Sequence, residues 1–259
     1  MNLYDPQLGA PGTGVVVTGG ASGIGLAAAH ALAAVGRPVA LWDIDAAKCE
    51  AAAADITSRY GVKAVGQVVD LRDPQAVSPA ALVTRSALGS VGGIVHCAGT
   101  APSTGIDGVT PDIFDAGMAL HVRAIILLTQ AFREDLRANP GSAIVATASI
   151  NAWFGNGMIP IYTAAKGAVI SLVRSMADEL SADGIRINTV SPGMIDTPIM
   201  EPETKAYMHS VYDKRILLGR FGQPEELGRV IRFLMSNEAS YITAEEFVVD
   251  GGIRHSQRP

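Results

Sequence analysis

Seven short apolar runs, most of them rich in β-branched residues, stand at 15–18, 38–42, 64–69, 93–97, 144–146, 185–190 and 246–249. They are apolar along most of their length rather than alternating, the pattern of strands covered on both faces. Helical patterns separate them: an Ala/Leu-rich stretch to 35, then 45–60, 74–88, a long one from Thr110-Pro111 to Asn139, one carrying Tyr162 and Lys166 and closed by Gly184, and 224–235. Thr110 suits an N-cap and Pro111 the first helical position, whereas Pro79 weakens the third helix. Residues 194–220 mix Pro198 and Pro202 with large apolar side chains and are predicted to be an irregular, mobile substrate lid. Apolar strands alternating with helices predict an α/β fold: a doubly wound, mostly parallel seven-stranded sheet with helices on both faces. With no repeat and no linker, residues 1–259 read as one domain, with a fraying tail from His255.

Composition narrows the function classes. Hydrophobic residues make up 48% of the chain and charged ones 17%, which suits a close-packed globular enzyme rather than a disordered chain. A net charge of −5 without a basic stripe argues against a nucleic-acid partner. Two cysteines make no disulfide framework, and Cys97, at the end of an apolar run, reads as a small buried hydrophobe. The stretch MNLYDPQLGAPGTG has neither the basic nor the apolar region of a signal peptide, and no apolar run is long enough to span a bilayer. The expectation is a cytoplasmic protein with no membrane attachment, and no metal site is assigned.

Three stretches carry chemistry. Thr18-Gly19-Gly20-Ala21-Ser22-Gly23-Ile24-Gly25 follows a strand and opens a helix. Glycines there let the backbone approach a pyrophosphate, and the helix N-terminus offers it unpaired N–H groups; the plainer alternative is a glycine-rich turn. Asp43 ends the second strand, where a carboxylate can accept hydrogen bonds from ribose hydroxyls and would repel a 2′-phosphate. With no Arg or Lys beside it, NAD (NAD+/NADH) is favoured over NADP. Asp70 ends the third strand and either reaches an adenine edge or caps the next turn. The third stretch runs from Ala143 to Lys166: a strand, then Ser149, a Gly/Asn-rich loop, and Tyr162 and Lys166 four residues apart on one helical face.

Together with Cys97-Ala98-Gly99, Ser191-Pro192-Gly193 and Asp250-Gly251-Gly252, these motifs resemble the short-chain dehydrogenase/reductase family over about residues 13–253. The resemblance implies a Rossmann fold and a hydride-transferring oxidoreductase. Tyr162 would then be the acid/base on the substrate oxygen and Ser149 would orient that oxygen. Lys166 would favour the phenolate by its charge and hold the nicotinamide ribose. The resemblance assigns Gly19, Ser22, Gly23, Ile24 and Gly25 to the pyrophosphate, and Ala98-Gly99 to the adenosine ribose. It assigns Pro192, Gly193, Ile195 and Thr197 to the nicotinamide side.

Two positions depart from the family pattern. His121 stands where a catalytic Asn is usual, so the proton relay behind Lys166 would run through an imidazole; the alternative is a plain helix histidine. His96 replaces an Asn and reads as structural hydrogen bonding. A third, smaller departure, Ala244 for a commoner Gly, is given no function.

The substrate wall is expected from Asn151, Trp153, Met194 and Ile199, with Ile150, Phe154, Met158, Ile159, Met200, Tyr207, Met208 and Tyr212 as further candidates, about half of them packing under the loop. No Arg or Lys stands near Ser149 to hold a carboxylate. A small hydrophobic secondary alcohol or ketone, cyclic or steroid-like, is the expected substrate. The alternatives are a 3-oxoacyl-thioester reductase, which should prefer NADPH, and a catalytically weak cofactor-binding sensor. The family suggests a homotetramer packed through the long helices.

Overall fold

The computed structural model describes residues 5–197 and 202–258. Seven strands form one sheet in the order β3-β2-β1-β4-β5-β6-β7. They are β1 (Gly14–Thr18), β2 (Val39–Asp43), β3 (Ala64–Val68), β4 (Val91–His96), β5 (Ala143–Thr147), β6 (Arg186–Pro192) and β7 (Glu246–Val249). Every pairing between them is parallel, sharpening the expectation of a mostly parallel sheet.

Parallel strands need crossovers, and helices supply them on both faces. The helices are α1 (Gly23–Ala33), α2 (Ala46–Tyr60), α3 (Val77–Leu88), α4 (Pro111–Met118), α5 (Ala124–Ala138), α6 (Asn151–Phe154), α7 (Pro160–Ala182), α8 (Pro202–Tyr212) and α9 (Pro224–Leu234). One core packs α3, α5 and α7 on the sheet around Trp42, Ile94, Leu128 and Phe132. The other packs α1, α2 and α9 around Val17, Leu32, Leu41 and Ile231. Strand order reverses between β1 and β4, and that switch point opens a crevice at the carboxyl ends of the strands.

Local chemistry explains several helix ends. The Asp45 side chain accepts from Lys48 N to start α2, and Gly61, at a φ of 68°, ends it. Thr110 accepts from Ile113 N at the start of α4. Helix α3 begins at Val77, three residues after the expected start at 74, and Pro79 is accommodated in its first turn where no intrahelical N–H is required.

Three segments differ from expectation. The long helix is interrupted by a π-helical segment, Ala119–Arg123, between α4 and α5. The loop after Ser149 contains the short helix α6. The segment expected to be irregular holds α8: Pro202 opens a helix rather than breaking one. Met208 and Tyr212 on α8 pack on an apolar cluster of Ile150, Ile216, Phe221 and Ile253.

Candidate active site

A cavity of about 510 Å³ lies at the switch point, within the range of small-molecule sites. Its floor is made by close backbone approach. A Cβ on Gly19 would stand 2.8 Å from Ala98 N, and one on Gly25 would stand 2.1 Å from the Gly19 carbonyl oxygen, so side chains at both positions are excluded. The N-terminus of α1 opens into this cavity beside Ser22, Gly23, Ile24 and Gly25. Ser22 makes no side-chain cap there, whereas α2, α4 and α9 are each capped by a side chain. Free N–H groups at a helix start facing a cavity fit a pyrophosphate. Thr197 closes over this loop, its methyl group 3.6 Å from where a Gly23 Cβ would stand.

Asp43 and Asp70 line the far end. Asp43 accepts from Ile44 N at 2.8 Å and Ala21 N at 3.2 Å, tying the glycine loop to β2 and leaving lone pairs for further donors. Asp70 is gripped by Arg72 through Nε at 2.9 Å and Nη2 at 2.7 Å, and also accepts from Arg72 N. The Arg72 hydrogen bonds hold the Asp70 carboxyl below its usual range. Asp70 therefore caps its own turn while lining the cavity. Arg37 lies before β2, at the opposite edge of the sheet from Asp43, and is fully buried.

At the near end Ser149, Tyr162 and Lys166 meet. Ser149 follows β5, and its hydroxyl accepts from Asn151 N at 3.1 Å. Tyr162 and Lys166 project from one face of α7, with Lys166 Nζ 5.5 Å from the phenol ring centre. Lys166 is buried, and its ammonium donates to the Thr147 carbonyl at 2.6 Å. Burial pushes Lys166 down to about 8. Burial also raises Tyr162 above its ordinary value, and the Ser149 hydroxyl beside it acts the other way. The sequence suggests that the ammonium dominates at the phenol; here burial does, so the resting phenol keeps its proton.

His121 sits in the π segment and is buried against Tyr162, ring centres 5.5 Å apart at 83°. A π turn inserts one extra residue and re-aims the side chains within it. His121 Nε2 donates to the Thr100 carbonyl at 2.9 Å, and Nδ1 is buried without a partner. Gly99 makes room for the ring, since a Cβ there would lie 2.4 Å from His121 Cε1. Burial, reinforced by the Lys166 charge, lowers His121 to about 3, so the imidazole is neutral. His96 is fully engaged: Nε2 donates to the Leu120 carbonyl at 3.1 Å, and Nδ1 accepts from the Thr18 hydroxyl at 2.8 Å. That bond pins the π segment to the ends of β4 and β1. Cys97 lies against Thr147, and burial pushes its thiol up to about 11, an unreactive state.

Pro192, Gly193, Met194 and Ile195 complete the wall beside Ser149. Asn151 and Trp153, expected on the substrate wall, do not line the cavity. Trp153 is 55% exposed and turns outward, its indole donating to Glu246 at 2.8 Å, because a carboxylate 93 residues away supplies the acceptor. Ile199 and Met200 lie outside the described residues. Ile150, Met208 and Tyr212 pack in the cluster beneath α8, whereas Phe154, Met158 and Tyr207 are exposed.

Sequence reasoning missed Ile44, Leu71, Arg72, Thr100 and Thr147, all of which line the cavity. Arg72, two residues beyond Asp70, was open to inference as a turn partner. The Thr147 and Thr100 carbonyls carry no side-chain signal.

A family profile described as Enoyl-(Acyl carrier protein) reductase matches residues 19–254. The chain is 32% identical over 248 residues to 2-(S)-hydroxypropyl-CoM dehydrogenase 3 of Xanthobacter autotrophicus, covering 92% of this chain and 95% of that one. It is 32% identical over 240 residues to a 3alpha-hydroxysteroid dehydrogenase of Mediterraneibacter gnavus, covering 92% and 96%. Among solved structures, L-sorbose reductase from Gluconobacter frateurii, complexed with NADPH and L-sorbose, superposes with a TM-score of 0.89 at 32% identity, covering 95% and 98%.

Proposed function

The chain belongs to the short-chain dehydrogenase/reductase family, and we propose that it is an NAD(H)-dependent dehydrogenase interconverting a hydrophobic secondary alcohol and its ketone. The observation that carries this reading is the convergence of Ser149, Tyr162 and Lys166 at one end of a cavity whose other end presents Asp43. The relatives support the coarser statement, an alcohol/ketone oxidoreductase with a nicotinamide cofactor. The sorbose reductase carries NADPH, so likeness alone does not choose the cofactor. Asp43 favours NAD, and Arg72, whose guanidinium lines the same cavity, is already held by Asp70.

The uncapped start of α1 would hold the pyrophosphate, Asp43 the adenosine ribose, and Pro192 to Ile195 the nicotinamide. The nicotinamide supplies hydride exchange when bound. In reduction, the Tyr162 phenol gives its proton to the ketone oxygen, which Ser149 orients. In oxidation, Tyr162 takes the proton back. Lys166 uses one of its three donors on Thr147, leaving two for ribose hydroxyls. His121 is neutral, and its buried, unpartnered Nδ1 is a spare acceptor beside Tyr162 that a proton relay behind Lys166 would use. Met194 gives the nearby wall apolar character.

A 3-oxoacyl-thioester reductase is the second reading, and the description of the matching family profile supports it only as far as an acyl-carrier-protein substrate. A homotetramer packed through α5 and α7 is supported by Phe114 and Ile126, exposed on α4 and α5. Sedimentation as a stable monomer would refute it.

The deciding measurement is oxidation of a panel of secondary alcohols, each assayed with NAD and with NADP. The expected result is kcat/KM at least about tenfold higher with NAD, and loss of that preference in Asp43→Ala. Preference for NADP refutes the role of Asp43. Turnover of 3-oxoacyl thioesters in place of alcohols selects the second reading.

A further inference from the structure

One oxygen of Glu246, the first residue of β7, receives two hydrogen bonds. Ser191 Oγ donates to Oε1 at 2.6 Å, and Trp153 Nε1 donates to the same atom at 2.8 Å. Among the described residues no cation is paired with this carboxylate. The two donors come from the segments that flank the reaction site. Ser191 is fully buried on β6 and immediately precedes Pro192-Gly193. Trp153 lies on α6, the turn that follows Ser149.

Backbone bonds already lace these segments together. Ala148 N donates to the Val190 carbonyl at 2.8 Å and Ile150 N to the Pro192 carbonyl at 3.2 Å. Helix α6 is a single turn that packs on α7, with Ala152 against the core around Trp42 and Phe132. Its outer face is fixed by Trp153, whose ring is covered by the Arg254 guanidinium at 5.2 Å. Arg254 belongs to the C-terminal turn, and its backbone N–H is held by Asp250 at 2.9 Å.

We propose that Glu246 is a positioning residue that sets the Ser149 segment against the Pro192-Gly193 wall, using Trp153 as its arm. This rests on the dehydrogenase reading, because the distance so fixed is that between the group orienting the substrate oxygen and the nicotinamide pocket. Bonds to an ionised acceptor are shorter and stronger than neutral ones, and the 2.6 Å hydroxyl contact has that character. A glutamine keeps an acceptor oxygen in the same place. Alanine removes it, strands the buried Ser191 hydroxyl and frees the Trp153 side of α6. The effect falls on the chemical step, since small misplacements of orienting groups cost rate. Cofactor affinity resides elsewhere, in the glycine loop and Asp43.

The test has one arm that needs no turnover. The chain has two tryptophans, so 5-fluorotryptophan labelling gives two 19F resonances, and Trp153→Phe identifies the one from Trp153. E246A should shift and narrow the Trp153 resonance and leave that of Trp42 in place, with E246Q close to wild type. In steady-state assays E246A should lower kcat about tenfold, and Trp153→Phe by about threefold, with the NADH dissociation constant within about twofold of wild type. E246Q should restore most of the kcat. An unmoved Trp153 resonance in E246A, or a wild-type kcat in Trp153→Phe, overturns the proposal. Should E246A fail to fold, the half-exposed Trp153→Phe still decides the kinetic arm. If wild type turns over no alcohol or ketone, the dehydrogenase reading falls, and the positioning role falls with it even where the 19F arm detects the tether.

Discussion

The two edges of the sheet bury cations in opposite ways. At the amino edge, Arg37 precedes β2 and Arg186 opens β6. Neither has a carboxylate partner among the described residues. Arg37 donates to the Thr13 carbonyl, the Thr13 hydroxyl and the Met235 carbonyl at 2.9, 3.1 and 2.7 Å. Arg186 donates to the carbonyls of Leu234 and Ser236 at 2.9 and 3.0 Å. The Leu234, Met235 and Ser236 carbonyls lie at the end of α9, where a helix presents unpaired acceptors and the negative end of its dipole. At the carboxyl edge, Lys166 is as deeply buried but has one acceptor, Thr147. Burial brings Arg37 down to about 10 and Lys166 to about 8. A buried cation ringed by carbonyls is a structural bolt. One left with spare donors facing a cavity is poised for a ligand, and the fold carries its cost.

Replacing Lys166 gives the largest effect. Lys166→Met should lower kcat/KM about 10²–10³-fold, because the proposed hold on the ribose and the charge beside Tyr162 both go. It should also stabilise the cofactor-free protein at pH 7. The shift from 10.5 to about 8 means that the folded chain holds the proton less tightly than the unfolded one. Less the orphaned Thr147 carbonyl, that is worth on the order of 2 kcal/mol. The sign follows from proton counting. Between pH 8 and 10.5 the unfolded chain binds more protons at this site, so wild-type stability rises with pH there. The advantage of Lys166→Met in thermal unfolding should be full below pH 8 and vanish toward pH 10.5. A variant less stable than wild type at pH 7 would place Lys166 with the bolts.

Arg37→Met should behave differently. Activity per folded molecule stays within about twofold, since the cavity is at the other edge. The two core carbonyls that lose donors cost about 3 kcal/mol. Removing a cation that burial lowers to about 10 returns a similar amount, as at Lys166, so stability stays near that of wild type. A Tm gain as large as that of Lys166→Met would break the comparison from the other side.

The same contrast explains what was legible in the sequence. Strands β1, β2, β4 and β5 were legible because buried parallel strands are short β-branched runs, bounded here by glycines or turn residues. Helix starts at Asp45 and Thr110 were legible because a cap is a local bond. So was the meeting of Tyr162 and Lys166 with Ser149 at one cavity, since Tyr162 and Lys166 share a helical face whatever surrounds them. The π segment was not, because it depends on tertiary bonds such as His96 to Leu120. Trp153 was misplaced because its partner Glu246 is remote in sequence. Helix α8 was missed because Pro202 carries the same letter as a breaker and as an opener. The Thr147 carbonyl that holds Lys166 has no letter of its own.

His121 gives the smallest effect and the finest discrimination, since it couples the two ideas at one residue. Its Nε2 is committed to Thr100 as firmly as any bolt, but Nδ1 is left over, as in a poised group. If the spare lone pair relays protons, His121→Ala should lower kcat about tenfold, less than the 10²–10⁴ lost with a direct acid–base group. It should also move the pH profile of kcat, while His121→Asn, which keeps a donor and an acceptor, restores much of both. Stability supplies the control. Folded His121 refuses a proton until about pH 3, whereas the unfolded residue accepts one near 6.5. The unfolded chain therefore binds more protons across that window, so wild-type stability falls as pH is lowered through it. Both variants lose the His121 share of that slope whether or not the imidazole relays, so only the kinetics separate the two roles. His121→Ala turning over like wild type at every pH would make His121 one more bolt.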